Sequence, residues 1–211
     1  MKTIAILSQK GGSGKTTLAA HLAVEAERTG AGLVAVVDTN PQGSLAAWWN
    51  SREALTPLFA TVEIARLPDH LQTLERRQVQ LVVIDTPPAL TDMITAAIAV
   101  ADLVLIPARP SPHDLRAVGV IVAMAEAAGI PFCFVVNGAT PRTTIALEAV
   151  RALAPHGQVA PVTLHQRIDF AASMVDGRTV GELNPRSRSA DEVTSLWQYV
   201  VTQLRKESKR A

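Results

Sequence analysis

The sequence predicts an α/β fold in which a mostly parallel, twisted sheet carries helices on both faces. Short apolar runs alternate along the chain with segments of helical periodicity, which is the pattern of such folds. The first run, residues 2–7, leads through a glycine-rich turn into a helical segment from Leu18. The clearest run, residues 81–85, has four apolar residues before Asp85. Continuous apolar runs of this kind suit strands that are buried on both faces of a parallel sheet.

Each element follows from its local pattern. The apolar runs predict strands at 2–7, 33–37, 62–66, 81–85, 103–106 and 132–136, with an edge strand at 159–162. Helical periodicity predicts helices at 18–29, 44–52, 68–77, 91–100, 114–128, 143–153, 169–175 and 191–205. Residues 184–190 read as a polar loop, and no linker, internal repeat or low-complexity segment divides the chain. We therefore expect a single domain, residues 1–211, which is an ordinary domain length.

Composition and charge exclude several classes of protein. A hydrophobic content of 48% is enough for a full core, so disorder is not expected. With a net charge of +1, any binding of nucleic acid must come from a local basic patch. Cys133 is the only cysteine, which excludes an intrachain disulfide and fits a reducing cytoplasm. The chain begins with a strand and not a signal peptide, and its longest apolar stretch, 93–108, contains Asp102 and does not read as a membrane span.

The turn at residues 8–17 has the composition of a phosphate-binding loop. Glycines sit where the backbone must approach an anion, and the helix that follows directs its free N–H groups and positive dipole end at the same point. Lys15 would reach the β and γ phosphates, Thr16 would bind Mg²⁺, and Thr17 would lie near the α phosphate. The alternative is a glycine turn whose Lys-Thr is coincidental, which the flanking strand and helix disfavour. The predicted contacts to nucleotide are Lys10, Gly11, Gly12, Ser13, Gly14, Lys15, Thr16 and Thr17.

The apolar strand that ends in Asp85 matches the Walker B pattern. A carboxylate at this strand end would hold Mg²⁺ through a water molecule. The alternative is an aspartate that only caps the next helix.

The loop also departs from the standard phosphate-loop spacing. A glycine is expected at position 9, where this chain has Gln9, and an extra lysine precedes the glycines at Lys10. This Lys-Gly-Gly-Ser-Gly-Lys-Thr sequence resembles the deviant Walker A loop of the ParA/MinD ATPases, and the chain resembles in particular the small ParA partition ATPases without an N-terminal DNA-binding domain. The resemblance implies a P-loop NTPase with ATP and Mg²⁺ as cofactors. It also implies a homodimer in which Lys10 reaches the partner's ATP, although Lys10 could instead be a solvated loop lysine.

The segment after the second strand differs from the family at one position. The family usually reads Asp-x-Asp-Pro-Gln there, and this chain reads Asp38-Thr39-Asn40-Pro41-Gln42. By resemblance, Asp38 belongs to the catalytic and metal site, and Asn40 replaces the acid that positions the attacking water. An amide can orient water but cannot accept its proton, and loss of a general base typically costs about 10²–10⁴-fold in rate. We therefore expect slow ATP hydrolysis, with Lys10, Lys15, Asp38 and Asn40 as the catalytic set.

Two further sites come from the resemblance. Asn137, at a strand end, would contact adenine, although asparagine there is more often a turn residue. ParA dimers bind DNA without sequence preference, and we expect Arg167, Arg186 and Arg188 to contact phosphates. Each arginine taken singly is more often a solvated surface charge. The tail at 205–210 would be a phosphate-contacting end or merely a soluble one, and it has no apolar face for a membrane.

Three functions are compatible with these residues. The first is an ATP-switched, nucleoid-associated ATPase that positions a plasmid, a chromosome or a protein cluster with a ParB-like adaptor protein. The second is a metabolic ATP-dependent ligase of the dethiobiotin synthetase or cobyrinic acid amidase type. The third is a hydrolysis-poor, ATP-dependent scaffold, which Asn40 favours. Stimulation of the ATPase by DNA and adaptor, or instead by a small acid and ammonia, would separate the first two.

Overall fold

The fold is built on one parallel sheet, and the computed structural model describes residues 1–88 and 92–207. Its strands are β1 Lys2–Ile6, β2 Val34–Asp38, β3 Leu58–Thr61, β4 Leu81–Asp85, β5 Leu103–Ala108, β6 Phe132–Ala139 and β7 Leu164–His165. The order across the sheet is β3-β2-β4-β1-β5-β6-β7, and all the pairs are parallel. This confirms the predicted α/β class with a parallel sheet.

Helices connect the strands. They are α1 Lys15–Arg28, α2 Ser44–Asn50, α3 Leu67–Arg76, α4 Asp92–Ala99, α5 Pro112–Ala128, α6 Ile145–Leu153, α7 Ile168–Met174, α8 Val180–Leu183 and α9 Arg188–Glu207. Short 3₁₀ turns lie at Ile64–Arg66 and Ala154–His156. Among the described residues, no helix has both the length and the apolar character needed to cross a bilayer.

The two faces of the sheet bury separate apolar layers. On β1, Ile4 and Ile6 pack with residues of α1, α2 and α9. Ala5, together with Leu7 directly after the strand, packs with residues of α4, α5 and α6 on the other face. Residues of α3 cover the β2 and β4 side of that second face, where they pack on Val37. The alternation follows from the two-residue period of a strand, and it explains why the central strands read as continuous apolar runs.

The third strand was misplaced by the sequence prediction. It spans Leu58–Thr61 and not 62–66, because the ladder with β2 closes where the Val62 N–H donates to the Asp38 carbonyl at 3.1 Å. The chain then turns into the 3₁₀ segment Ile64–Arg66. Val62 is buried beneath α3, so its apolar character reflects packing on a helix and not membership of a strand.

The predicted edge strand at 159–162 is also wrong. Val159 makes only an isolated bridge to Phe134, and Pro161 has no N–H with which to continue a ladder. Pairing beside β6 resumes at Leu164–His165, across a register shift between Asn137 and Ala139.

Two boundaries in the C-terminal part differ from expectation. Residues 184–190 are not wholly a loop, because α9 begins at Arg188, and the Ser187 hydroxyl accepts from the Ala190 N–H at 3.1 Å. Helix α8 was not predicted, although Thr179 and Glu182 form a capping box that the sequence displays. The predicted helix start at Thr91 and the tail residues 208–210 lie outside the described residues.

Candidate functional site

The glycine-rich loop joins β1 to α1 at the carboxyl edge of the sheet. Gly14 has φ +93° and precedes the helix, and a Cβ added there would lie 2.1 Å from the Asn137 Nδ2. Only glycine therefore fits, because both the left-handed backbone and the close neighbour exclude a side chain. The first turn of α1 consequently presents its N–H groups to the space in front of the loop.

Lys15 is buried inside this loop. Its Nζ donates to the carbonyl oxygens of Ser8 at 3.3 Å and Lys10 at 3.2 Å. Burial lowers the pKa of Lys15, and the nearby Asp85 carboxylate partly opposes that shift. The ammonium group thus lies beneath the loop, where the carbonyl groups of Ser8 and Lys10 and the Asp85 carboxylate stabilise its charge.

Thr16 and Asp85 form the second polar contact of the site. The Thr16 hydroxyl donates to the Asp85 Oδ2 at 2.6 Å, whereas the Asp85 Oδ1 is buried and has no hydrogen-bond partner among residues 1–88 and 92–207. The pKa of Asp85 is raised to about 7, because desolvation and the Asp38 charge raise it by more than the Thr16 hydrogen bond, the Lys15 charge and the Thr86 backbone N–H lower it. A buried carboxylate oxygen with no partner is costly unless a ligand supplies one.

These groups fit a magnesium ion that also binds a nucleotide. Mg²⁺ prefers oxygen ligands and is usually bound by one or two protein groups plus substrate phosphates and water. Across residues 1–88 and 92–207, no group of three or more His, Cys, Asp or Glu side chains could hold a metal alone. The oxygens of Thr16 and Asp85 therefore fit such a shared site and not a closed protein cage.

Asp38 shapes the segment that faces the loop. One of its carboxylate oxygens accepts from the Asn40 N–H at 2.8 Å and the other accepts from the Ala46 N–H at 3.1 Å. The Thr39 hydroxyl donates to the Asp85 carbonyl at 2.8 Å. Asp38 and Asp85 are register partners on adjacent strands, so the two carboxylates lie side by side. Both Asp38 oxygens are engaged by backbone, which makes this residue the support of the Asn40 segment.

Two cavities open on opposite sides of the segment 14–17. The phosphate cavity, of ≈ 370 Å³, is lined by Gly11, Gly12, Gly14, Lys15, Thr16, Thr17, Asn40, Gln42, Ser44, Pro88 and Met174. The base cavity, of ≈ 260 Å³, is lined by Gly14, Thr17, Leu18, His21, Arg109, Asn137, Gly138, Leu164, His165, Gln166, Arg167, Phe170, Ala171 and Met174. A larger hollow of ≈ 560 Å³ beside Arg52 shares no residue with either. We place the candidate site in the first two because they flank the loop.

The structure places Asn137 beside the loop. Its Nδ2 donates to the Ser13 carbonyl at 2.7 Å, so its Oδ1 is the atom left for a ligand in the base cavity. The Ser13 hydroxyl itself is buried, and no residue that the structure describes is its hydrogen-bond partner. Lys10 lies in the same loop and is exposed to solvent.

The three arginines that were predicted to bind DNA differ in their exposure to solvent and in their position on the fold. Arg167 is half-buried in the wall of the base cavity and donates to Glu192 at 2.6 Å. Arg186 and Arg188 are exposed at the start of α9.

Sequence reasoning missed the residues that complete the base cavity, notably His21. Its Nδ1 contacts the Thr17 carbonyl at 2.8 Å, and its Nε2 accepts from the Val180 N–H at 3.2 Å. Burial lowers the pKa of His21 to about 4, and its ring packs against Phe170 with centroids 5.1 Å apart. The position of His21 one helical turn after Thr17 could have indicated the contact between these two residues. The sequence could not indicate the contact with Val180, because that residue lies far along the chain.

Comparison with known proteins agrees with this geometry. A family model described as the CobQ/CobB/MinD/ParA nucleotide binding domain matches residues 4–184. The chain is 32% identical to the maintenance of carboxysome distribution protein A of Halothiobacillus neapolitanus, over 94% of this chain and 96% of that protein. It is 27% identical to the chromosome-partitioning ATPase Soj of Thermus thermophilus, over 97% of each.

Solved structures share the fold. Apo McdA from Cyanthece superposes with a TM-score of 0.79 at 18% identity, covering 95% of this chain and 99% of that one. The septum site-determining protein MinD of Pyrococcus horikoshii, solved with Mg-ADP, gives 0.79 at 18% identity, covering 94% and 95%. The match of the family model over residues 4–184 shows that the chain belongs to the CobQ/CobB/MinD/ParA family of nucleotide-binding domains.

Proposed function

We propose that this protein is an ATP-dependent positioning ATPase. It binds ATP and Mg²⁺ between the glycine-rich loop and the Asn40 segment, dimerises over the bound nucleotide, and holds DNA in that state. Slow hydrolysis, stimulated by a ParB-like adaptor, releases the dimer. Relatives named for carboxysome distribution and for chromosome partition support this class of function and suggest a large cargo.

The observation that carries the proposal is the buried Asp85 Oδ1 beside Thr16 and Lys15, which has no hydrogen-bond partner within the described part of the chain. Thr16 and Lys15 line the phosphate cavity, and the buried Asp85 carboxylate lies behind Thr16, from whose hydroxyl it accepts a hydrogen bond. Bound Mg²⁺ would neutralise charge on the phosphates and engage Thr16 and Asp85. Lys15 would exchange its two carbonyl contacts for phosphate oxygens, which are stronger, charge-assisted partners. Asp38 contributes negative charge behind the metal while it holds the loop.

The base cavity supports adenine as the base. The Asn137 Oδ1 accepts hydrogen bonds and cannot donate them, so it suits the exocyclic amino group of adenine and not the carbonyl oxygen of guanine. Phe170 and Leu164 add apolar contact in the same cavity.

Lys10 supports dimerisation through nucleotide. Its ammonium is exposed at the loop tip, whereas Lys15 is buried, so the two lysines cannot serve the same phosphates in the same way. We assign Lys15 to the nucleotide of its own subunit and Lys10 to that of the partner, where both stabilise charge that develops during attack of water on the γ phosphate.

Arg186 and Arg188 are the proposed DNA contacts. Both are exposed, and they precede or begin the same helix, α9. Arg167 is a weaker candidate, since its pairing with Glu192 already balances its charge.

A combined mass and binding experiment tests the proposal. Light scattering gives the mass, and binding to random duplex DNA is measured between 50 and 300 mM salt, with ATP·Mg²⁺, ADP·Mg²⁺ or no nucleotide. We expect an ATP-dependent dimer whose affinity for DNA falls steeply with salt, because released counterions drive the binding. Lys15→Ala should lose both properties, and Lys10→Ala should bind ATP but remain a monomer.

The DNA surface has a matched control in the same experiment. Arg186→Ala with Arg188→Ala should weaken DNA binding and flatten its dependence on salt, whereas Arg76→Ala with Arg77→Ala, which removes two exposed arginines near α3, should not. An ATP-dependent dimer without DNA binding would contradict the positioning role. ATP turnover that needs a small acid and ammonia would instead favour a metabolic ligase, and a DNA-bound dimer that no adaptor stimulates would favour a hydrolysis-poor scaffold.

A further inference from the structure

The side chain of Asn40 is held in one orientation by the backbone. The Gln42 N–H donates to the Asn40 Oδ1 at 3.1 Å. A backbone N–H can only donate, so the side-chain atom that it contacts must be the amide oxygen and not the nitrogen. The Asn40 backbone is itself fixed, because its own N–H donates to Asp38. The amide group therefore cannot turn over without loss of the contact to Gln42.

This orientation leaves the amide nitrogen of Asn40 for the phosphate cavity. Within the part of the chain that the structure describes, no acceptor contacts this Nδ2, and Asn40 lines the cavity together with Lys15 and Thr16. Asn40 as a residue is only 8% exposed, so most of it is removed from solvent. An N–H donor at the wall of a cavity, with no acceptor among the described residues, suits an anionic ligand.

The chemistry of this donor differs from that of the acid that the family usually has here. A terminal phosphate presents acceptor oxygens and negative charge, so an N–H donor stabilises it and a carboxylate repels it. The Asn40 Oδ1 is engaged by Gln42, and a neutral amide does not take a proton from water.

We infer that Asn40 is a specificity residue for the terminal phosphate of ATP. Its Nδ2 donates to a γ-phosphate oxygen, so the site holds ATP more tightly than ADP without activating the attacking water. The inference rests on the proposed function, because it needs a nucleotide in the phosphate cavity. In this inference, Asn40 stabilises bound ATP and does not promote its hydrolysis.

Equilibrium binding tests the inference without any turnover. Isothermal titration calorimetry would measure the affinity of a non-hydrolysable ATP analogue and of ADP, each with Mg²⁺, for the full chain and for Asn40→Asp. The aspartate variant keeps an oxygen for the Gln42 N–H and changes the cavity-facing donor into an anionic acceptor. We expect the affinity for the ATP analogue to fall by about ten- to a hundredfold and the affinity for ADP to change by less than about threefold.

Two further variants make the outcome decisive. Asn50→Asp adds the same charge at an exposed site at the end of α2, and it should leave both affinities unchanged. Asn40→Ala removes both the donor and the contact to Gln42, and it should also weaken the ATP analogue selectively. Equal loss of both nucleotides in the Asn40 variants, or no loss, would overturn the inference while leaving nucleotide binding intact. A wild-type chain that binds neither nucleotide would overturn the proposed function together with the inference.

Discussion

Replacing Asp85 by asparagine should make the nucleotide-free protein more stable at neutral and alkaline pH while it abolishes Mg²⁺-dependent ATP binding. Burial raises the pKa of the Asp85 carboxyl to about 7 from an ordinary value of 3.8. The folded state therefore binds more protons than the unfolded state between those values. The contribution of Asp85 to the free energy of unfolding must therefore fall as pH rises through this window, and it is constant above and below the window.

The size of the effect follows from the shift. A difference of about three pKa units corresponds to about 4 kcal/mol, which is the upper limit on the destabilisation caused by ionised Asp85 at pH 8. The asparagine keeps an oxygen for the Thr16 hydroxyl but gains an unpaired N–H group, which costs about 1 kcal/mol or more at every pH. The pH dependence thus isolates the carboxylate charge from the change in hydrogen bonding.

Urea denaturation between pH 4.5 and 8 measures this difference directly. We expect the free energy of unfolding of Asp85→Asn, minus that of the wild type, to increase by about 2–4 kcal/mol across the range. Asp176→Asn is the control: the Arg178 hydrogen bond lowers the pKa of this exposed carboxyl, so it titrates below the range and its difference should be flat. If the Asp85→Asn difference were also flat, the carboxyl would be ionised at no cost, and the argument for a metal-binding role from its burial would fail.

Three other changes test separate contacts. Asn40→Asp should raise the rate of phosphate release at saturating ATP by about 10²–10⁴-fold by supplying a base, and equal rates would show that this position does not limit hydrolysis. Asn137→Leu should reduce the preference for ATP over GTP by about tenfold in competition binding, and an unchanged preference would remove Asn137 from base recognition. His21→Phe should lose about 1–3 kcal/mol in urea denaturation, because the Val180 N–H is left without its acceptor. Because burial lowers the pKa of His21 to about 4, the contribution of His21 to stability is lost as pH falls from 6.5 towards 4, opposite in sign to the contribution of Asp85. The free energy of unfolding of the wild type minus that of His21→Phe should therefore decrease over this range.

The central sheet could be predicted from the sequence because its strands are buried on both faces. The segments that form β1, β2 and β4 carry apolar residues at successive positions, and this pattern shows where along the chain each strand lies. The edge strands could not be placed in the same way. An edge strand has one neighbour and is only partly buried, so the apolar residues of Leu58–Thr61 did not distinguish it from the adjacent Val62, which packs on a helix.

The residues of the candidate site also fall into two groups, those that the sequence alone could predict and those that it could not. Local motifs predicted the loop residues and Asp85, since each depends on neighbours close in sequence. The partners of those residues come from elsewhere in the chain: Ser13 meets Asn137, and Thr17 is linked through His21 to Val180. Asn40 was recognised as unusual from the sequence, but the direction of its amide depends on hydrogen bonds that only the folded segment shows.

The engagement of both Asp38 oxygens has a consequence for position 40. The shape of the segment after β2 is encoded by Asp38 and the N–H groups of Asn40 and Ala46, whereas the chemistry that the segment offers to the cavity is encoded by the Asn40 side chain. Shape and chemistry are therefore encoded by different atoms of the segment. Under the proposed function, a substitution at position 40 would change how long the ATP state lasts while the hydrogen bonds of Asp38 keep the backbone of the segment in place.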